Sequence, residues 1–140
     1  MNKALATLAV VIAAGLLSAP ASASDAVSSA DPQLRVKLVT PDGRPKVKVE
    51  RKLKVLSSCS TSCRMRVTMI LRTPLGSTKR GGAINLNAGG VWTTWIDLNN
   101  FGLNYLKKNY TRSSLKVIAR GRDSKTGQVV RKVRTFGFYR

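Results

Sequence analysis

The chain contains no histidine. That removes the side chain most often used for proton transfer near neutral pH, and the commonest metal ligand with it. Cysteine is nearly absent too: Cys59 and Cys63 are the only two, so no tetrahedral Cys/His metal site can be assembled. The carboxylates are Asp25, Asp31, Asp42, Glu50, Asp97 and Asp123. Two fall in small polar sequence near the N-terminus, two in turn sequence, and Glu50 among lysines. Paired carboxylates at a common cleft are not visible. No catalytic, cofactor-binding or metal-binding residue is therefore assigned, and the sequence reads as non-enzymatic and cofactor-free. Serine and lysine are abundant, which leaves a Ser–Lys pair as the one catalytic arrangement still open.

Long apolar runs are also missing, with one exception. After Met1-Asn2-Lys3 comes an apolar stretch from Ala4 to Leu17, then Ser18-Ala19-Pro20-Ala21-Ser22-Ala23 with small residues at Ala21 and Ala23. This layout is that of a secretory signal peptide over residues 1–23, too short for a good membrane span and cleaved after Ala23. The expected mature chain has no transmembrane segment and is secreted or held in the cell envelope. Residues 24–32 are small, polar and without periodicity, and are expected to be a flexible mature N-terminus.

What is abundant is positive charge. Lys and Arg number 25 against six Asp and Glu, a formal net charge of +19. Loss of Lys3 with the signal peptide leaves 24 against 6, or +18. Solubility asks for only about 2–8 units in a small domain, so the excess is self-repulsion that calls for a use.

Residues 33–140 read as one domain of short strands. Leu34, Val36 and Leu38 alternate with Gln33, Arg35 and Lys37, and Pro41-Asp42-Gly43 supplies a turn. From Lys46 the valines and leucines at 47, 49, 53 and 55 share one parity, and Lys46, Lys48, Lys52 and Lys54 share the other. Arg51 breaks the pattern: either a bulge resets the register there, or two short strands meet. After the cysteines, Met65, Val67, Met69 and Leu71 are expected inside, with Arg64, Arg66 and Arg72 outside. Ser77–Gly82 reads as a loop, Ile84 and Leu86 as a short strand, and Trp92–Leu98 as another. Asn100 is a candidate N-cap for a helical turn or two over Phe101–Lys108, with Leu103 and Leu106 covering the end of the core. Ser113–Arg120 and Val129–Tyr139 make the final strand pair, joined through Ser124–Gly127. About seven strands at this spacing, without crossover helices, give an all-β antiparallel sandwich and make a parallel sheet improbable.

The succession of a basic strand, Cys59-x3-Cys63, the Leu103/Leu106 turn and the Asp123–Gly127 hairpin resembles the immunoglobulin-like or fibronectin-III-like β-sandwich domains of exported bacterial proteins, actinobacterial ones in particular. The resemblance implies an Ig-like sandwich and export. It departs from antibody-type domains, whose two cysteines lie far apart in sequence, and it implies no active site.

In an oxidising compartment, cysteines this close are expected to form a disulfide that clips a hairpin or a strand-to-strand corner. Half a metal site would lack its other ligands, and redox catalysis would want Cys-x-x-Cys ahead of a helix. The basic excess is the functional lead. Alternate strand residues lie about 6.6–6.8 Å apart, so Lys46, Lys48, Lys52 and Lys54 would form a cationic ladder. Arg64, Arg66 and Arg72, then Lys116, Arg120, Arg131, Lys132 and Arg134, would extend it. The expected partners are an anionic envelope polymer, an acidic lipid surface or extracellular DNA, with a protein partner as the alternative. An assembly module or a secreted inhibitor or toxin are the rival classes. Sequence-specific nucleic-acid reading lacks any motif to support it. Trp92 and Trp95 fall on opposite faces of one strand; Trp92 is expected inside and Trp95 as a partly exposed contact. Ile70, Val91 and Ile118 sit on nominally outer faces.

Overall fold

The computed structural model describes residues 32–140. The expected signal peptide, and the flexible N-terminus apart from Pro32, lie outside the described residues. Two packed β-sheets make a sandwich-like body. β1 (Val36–Val39), β3 (Lys52–Cys59) and β6 (Val91–Asp97) form one sheet in the order β1-β3-β6. β2 (Lys46–Lys48), β4 (Cys63–Thr73), β5 (Gly76–Leu86), β7 (Ser114–Asp123) and β8 (Val129–Tyr139) form the other, in the order β2-β8-β7-β4-β5. The helix α1 (Asn100–Asn109) and a following 3-10 turn carry the chain from β6 to β7. Among the described residues no helix is long and apolar enough to cross a membrane.

The alternation seen in sequence fixes the inner layer. Leu53 and Val55 enter the core from the small sheet; Met65, Val67, Met69, Leu115, Val117 and Phe136 enter it from the large one, all nearly without solvent contact. Burying such side chains contributes roughly 1.5–3 kcal/mol each before chain entropy is set against it. Leu106 closes one end from α1, with Leu103 packed partly against the core.

The break at Arg51 is a change of sheet, so two short strands meet there. The Val49 N–H still donates to the Tyr139 carbonyl of the large sheet, whereas the Arg51 carbonyl accepts from Leu98 N–H beside the small one. Val47 and Val49 therefore point inward from one sheet and Leu53 and Val55 from the other, while Arg51 faces water at the crossing.

Several expectations are corrected. Ser77–Gly82 is no loop: β5 runs unbroken from Gly76 to Leu86 and pairs with β4 at every position. It is an edge strand exposed on both faces over its first six residues, so no burial pattern imposes alternation there. Among the described residues the strands number eight where about seven were expected, and the three-residue pair of β2 with β8 is parallel. The helix is ten residues long, and its cap is Asn99, whose Oδ1 accepts from Gly102 N–H at 2.7 Å. β7 continues to Asp123 because Gly121 passes beneath β1, where a Cβ would stand 2.9 Å from Val36 Cγ2.

The disulfide Cys59–Cys63 is present. It joins the end of β3 to the start of β4 and so clips one sheet to the other at a corner. The corner is knitted further by hydrogen bonds. Ser60 N–H donates to the Arg35 carbonyl at 3.0 Å, and Arg35 N–H to Ser60 Oγ at 2.7 Å. Thr61 Oγ1 donates to Asp123 Oδ2 at 2.5 Å, and the backbone N–H groups of Lys125 and Thr126 donate to its Oδ1, both at 2.8 Å. These donors hold the Asp123 carboxyl at about 2, below its ordinary 3.8, with the Thr61 hydroxyl the largest cause.

Two outcomes follow. Opening a five-residue ring returns about 2 kcal/mol of chain entropy to the unfolded state. The Cys59→Ala/Cys63→Ala variant should therefore melt lower than the parent while keeping its β-sheet circular dichroism. Asp123 favours the fold in its ionised form, so its contribution is whole above pH 3.8 and is lost as pH falls towards 2. Thermal melts should show Asp123→Asn less stable than the parent at neutral pH, with the difference shrinking over that acid window.

Candidate anion-binding face

The small sheet covers one face of the large sheet, leaving the other to solvent. What that outer face carries is set by one register. On β4, Cys63, Met65, Val67, Met69 and Leu71 turn inward, which sends Arg64, Arg66, Thr68, Ile70 and Arg72 out. Pairing puts each beside a like-facing residue of β7: Arg64 against Arg122, Arg66 against Arg120, Thr68 against Ile118, Ile70 against Lys116 and Arg72 against Ser114. The next strand continues the rows, with Arg120 opposite Arg131 and Ile118 opposite Val133. On the far side, Lys79 of β5 stands opposite Ile70.

The face has a definite layout. Arg64, Arg66, Arg120, Arg122 and Arg131 crowd one end, all exposed. A band of Thr68, Ile70, Ile118 and Val133 crosses the middle, where long arginine stems have apolar surface to lie on. Lys79, Lys116 and Arg72 occupy the other end. No carboxylate stands at any outward position of β4, β5, β7 or β8; the Asp123 carboxyl is turned inward and nearly buried. Directly opposed residues in such a pair have Cβ atoms about 4.5–5.5 Å apart, and like charges there repel. The ion pairs of the described residues lie elsewhere: Arg44–Asp42, Lys48–Glu50 and Arg80–Asp97. Among the described residues the arginine grid is thus uncompensated.

Not every cation expected in the ladder joins this face. Arg64, Arg66, Arg72, Lys116, Arg120 and Arg131 do. Lys46 and Lys48 lie at its margin on β2, and Lys48 is held protonated to higher pH by its hydrogen bond and charge contact with Glu50. Lys52 and Lys54 belong to the other sheet. Together with Lys48, Arg44, Asp42, Glu50 and Tyr139 they line an open groove of about 370 Å³ where the two sheets part. There the Tyr139 hydroxyl donates to Asp42, which lowers the Asp42 carboxyl below 3.8 and raises the phenol above 10.0. Lys132 has the opposite parity to Arg131 and points away from the grid. Arg134 is half-buried: its Nη1 donates to the Leu38 carbonyl at 2.8 Å and its guanidinium covers the Phe136 ring, so it ties β8 to β1.

Trp92 packs partly against the core beneath Gly82 of β5. Trp95 lies on the outer face of the small sheet, 36% exposed, with Lys52 Nζ 5.4 Å from its ring centre and its Nε1 donating to Asp97. A neighbouring cation thus occupies part of the ring. Arg122 and Lys79 are outward cations that sequence reasoning passed over. Reading Gly121 as a small inward residue in line with Val117 and Ala119 would have extended β7 and found Arg122; nothing in the composition of β5 marks Lys79.

Among the described residues, no group of three or more His, Cys, Asp or Glu could hold a metal ion. Compared with protein-family models and with curated protein sequences, the chain matches none.

Relieving the grid should stabilise the fold. Arg120 faces Arg66 on one side and Arg131 on the other. Its replacement in Arg120→Thr should add about 0.2–1 kcal/mol at low ionic strength. Added salt should erase the gain, which melts of parent and variant across a salt series would register.

Proposed function

We propose that the chain is an exported, non-enzymatic, immunoglobulin-like sandwich that binds anionic polymers or surfaces of the cell envelope through the outer face of its large sheet. The observation that carries this reading is the arginine grid. Three directly opposed like-charge pairs, Arg64/Arg122, Arg66/Arg120 and Arg120/Arg131, stand with no carboxylate among them. Such an arrangement weakens the free protein and is relieved when an anion sits between the guanidinium groups. The choice of residue supports the same conclusion. Arginine offers a planar fork that grips phosphate, sulfate or carboxylate with two parallel hydrogen bonds, whereas lysine offers a point charge. The grid is all arginine; lysines occur only towards the other end of the face.

Spacing favours an extended, repeating anion over a single small one. Neighbouring guanidinium stems are about 5 Å apart across the strands and about 6.6–6.8 Å apart along them, so one ligand group cannot satisfy them all. Teichoic-type polymers and extracellular nucleic acid share that chemistry, and both would be held without sequence readout. A second reading, in which the protein is an assembly module, draws on the free edge of β5: eleven residues long, without proline, and exposed on both faces over its first six residues. Association that grows with concentration and ignores salt would favour it.

The test is retention of the chain from Ser24 on heparin and on single-stranded DNA over a salt series. Retention should persist well beyond about 50 mM salt and fall linearly on logarithmic axes. Arg66→Ala and Arg120→Ala should each reduce the slope by about one unit, while Lys132→Ala, off the grid, should alter it less. Equal effects at all three positions would show that dispersed charge, and not this face, does the binding.

A further inference from the structure

The two most exposed large apolar side chains of the described residues lie at the end of the sandwich remote from the arginine grid. Leu75, in the β4–β5 turn, is 65% exposed, and Phe101, in the first turn of α1, is 68% exposed. Both border one shallow groove of about 360 Å³ whose floor includes Leu71, Ile96 and Leu98. Tyr105 lies one helical turn beyond Phe101, its ring stacked on that of Phe101 at 6.2 Å. Neither Leu75 nor Phe101 is needed to close the core, since Leu106 and Leu98 already do so.

The surroundings of this apolar end are cationic. Arg72 and Lys79 project from the adjoining end of the outer face. Arg112 precedes Ser114, the β7 residue that pairs with Arg72, which puts it at the same end. The one carboxylate lining the groove, Asp97, is already engaged by Arg80 at 3.8 Å and by Trp95 Nε1 at 3.2 Å.

We propose that this end docks on an anionic lipid bilayer, with Leu75 and Phe101 entering the interfacial region while Arg72, Lys79 and Arg112 meet the headgroups. Protruding apolar side chains with cations beside them match what such a surface offers: hydrocarbon just beneath a layer of negative charge. A second copy is the poorer occupant, because it would bring together two chains of formal charge +18, counted from Ser24, with cations beside the contact. The inference goes beyond the anion-binding face and does not depend on it. Arg64 and Leu75 are eleven residues apart along an extended strand and its turn, roughly 30 Å or more. A molecule docked by its apolar end would hold the arginine grid away from the bilayer.

The test uses the chain from Ser24, since the apolar run at residues 4–17 would partition into lipid by itself. Vesicles of phosphatidylcholine with about 30 mol % phosphatidylglycerol should carry the protein in flotation, and pure phosphatidylcholine should not. Leu75→Ser/Phe101→Ser should weaken that partition by about tenfold or more. Its heparin retention and melting temperature should stay at parental values. With no free cysteine in the described chain, an environment-sensitive dye can be placed at Leu75→Cys or, at the opposite end, at Lys125→Cys. The first should shift to shorter wavelength on vesicles and the second should not. Undiminished vesicle binding by the double variant, or a dye at position 75 that stays in water, would overturn the proposal. So would a salt-resistant dimer abolished by the same variant, which would assign this end to a second copy. Loss of heparin retention in the grid variants with vesicle docking intact would bear on the anion-binding face alone.

Discussion

The register between β4 and β7 is the constraint from which the outer surface of the molecule follows. Met65, Val67, Met69 and Leu71 must meet Gly121, Ala119, Val117 and Leu115 over the core. A slip of one residue would turn every one of those apolar side chains to water and every arginine inward. The arginines are therefore held in mutual opposition by burial on the far side of their own strands. Hydrophobic packing, worth several times the repulsion between exposed guanidinium groups, decides the contest. Gly121 is the narrowest point of that arrangement: β1 crosses so close above it that a methyl group would strike Val36, and the disulfide lies just beyond.

The same division, a committed interior and an uncompensated exterior, separates what could be read in the sequence from what could not. Strands with one buried face announced themselves through alternation, which is why β3, β4, β7 and β8 were legible. β5 was legible only at Ile84 and Leu86, because its first six residues are exposed on both faces and have no reason to alternate, and their glycines and polar residues look like loop. The irregularity at Arg51 was visible but ambiguous. Its meaning depended on which partner the backbone bonds to on either side, and Tyr139 and Leu98 are far away in sequence. That long-range pairing divided the expected lysine ladder between two sheets, leaving Lys52 and Lys54 apart from the arginines.

For the candidate site, the sign and size of the charge were plain from composition, whereas its arrangement was not. Arg134 and Lys132 looked like members of the ladder because charge alone was counted. Parity and the Leu38 carbonyl take them out of it. Arg122 was hidden by a glycine that reads as a strand end and acts instead as a clearance for β1. The apolar residues on outward positions, Ile70 and Ile118, could be read in sequence as an interface or as covered parts of a sheet face; on the large sheet they sit side by side between the two cationic ends.

The parallel pairing of β2 with β8 has a kinetic meaning. Lys46, Val47 and Lys48 find their partners at Gly137, Phe138 and Tyr139, across almost the whole described chain. Loops of that length are slow to close, and nothing nearer can substitute. β2 therefore has no strand to join until the last residues have emerged. A polypeptide built this way completes its large sheet late, with a strand from its beginning waiting on a strand at its end.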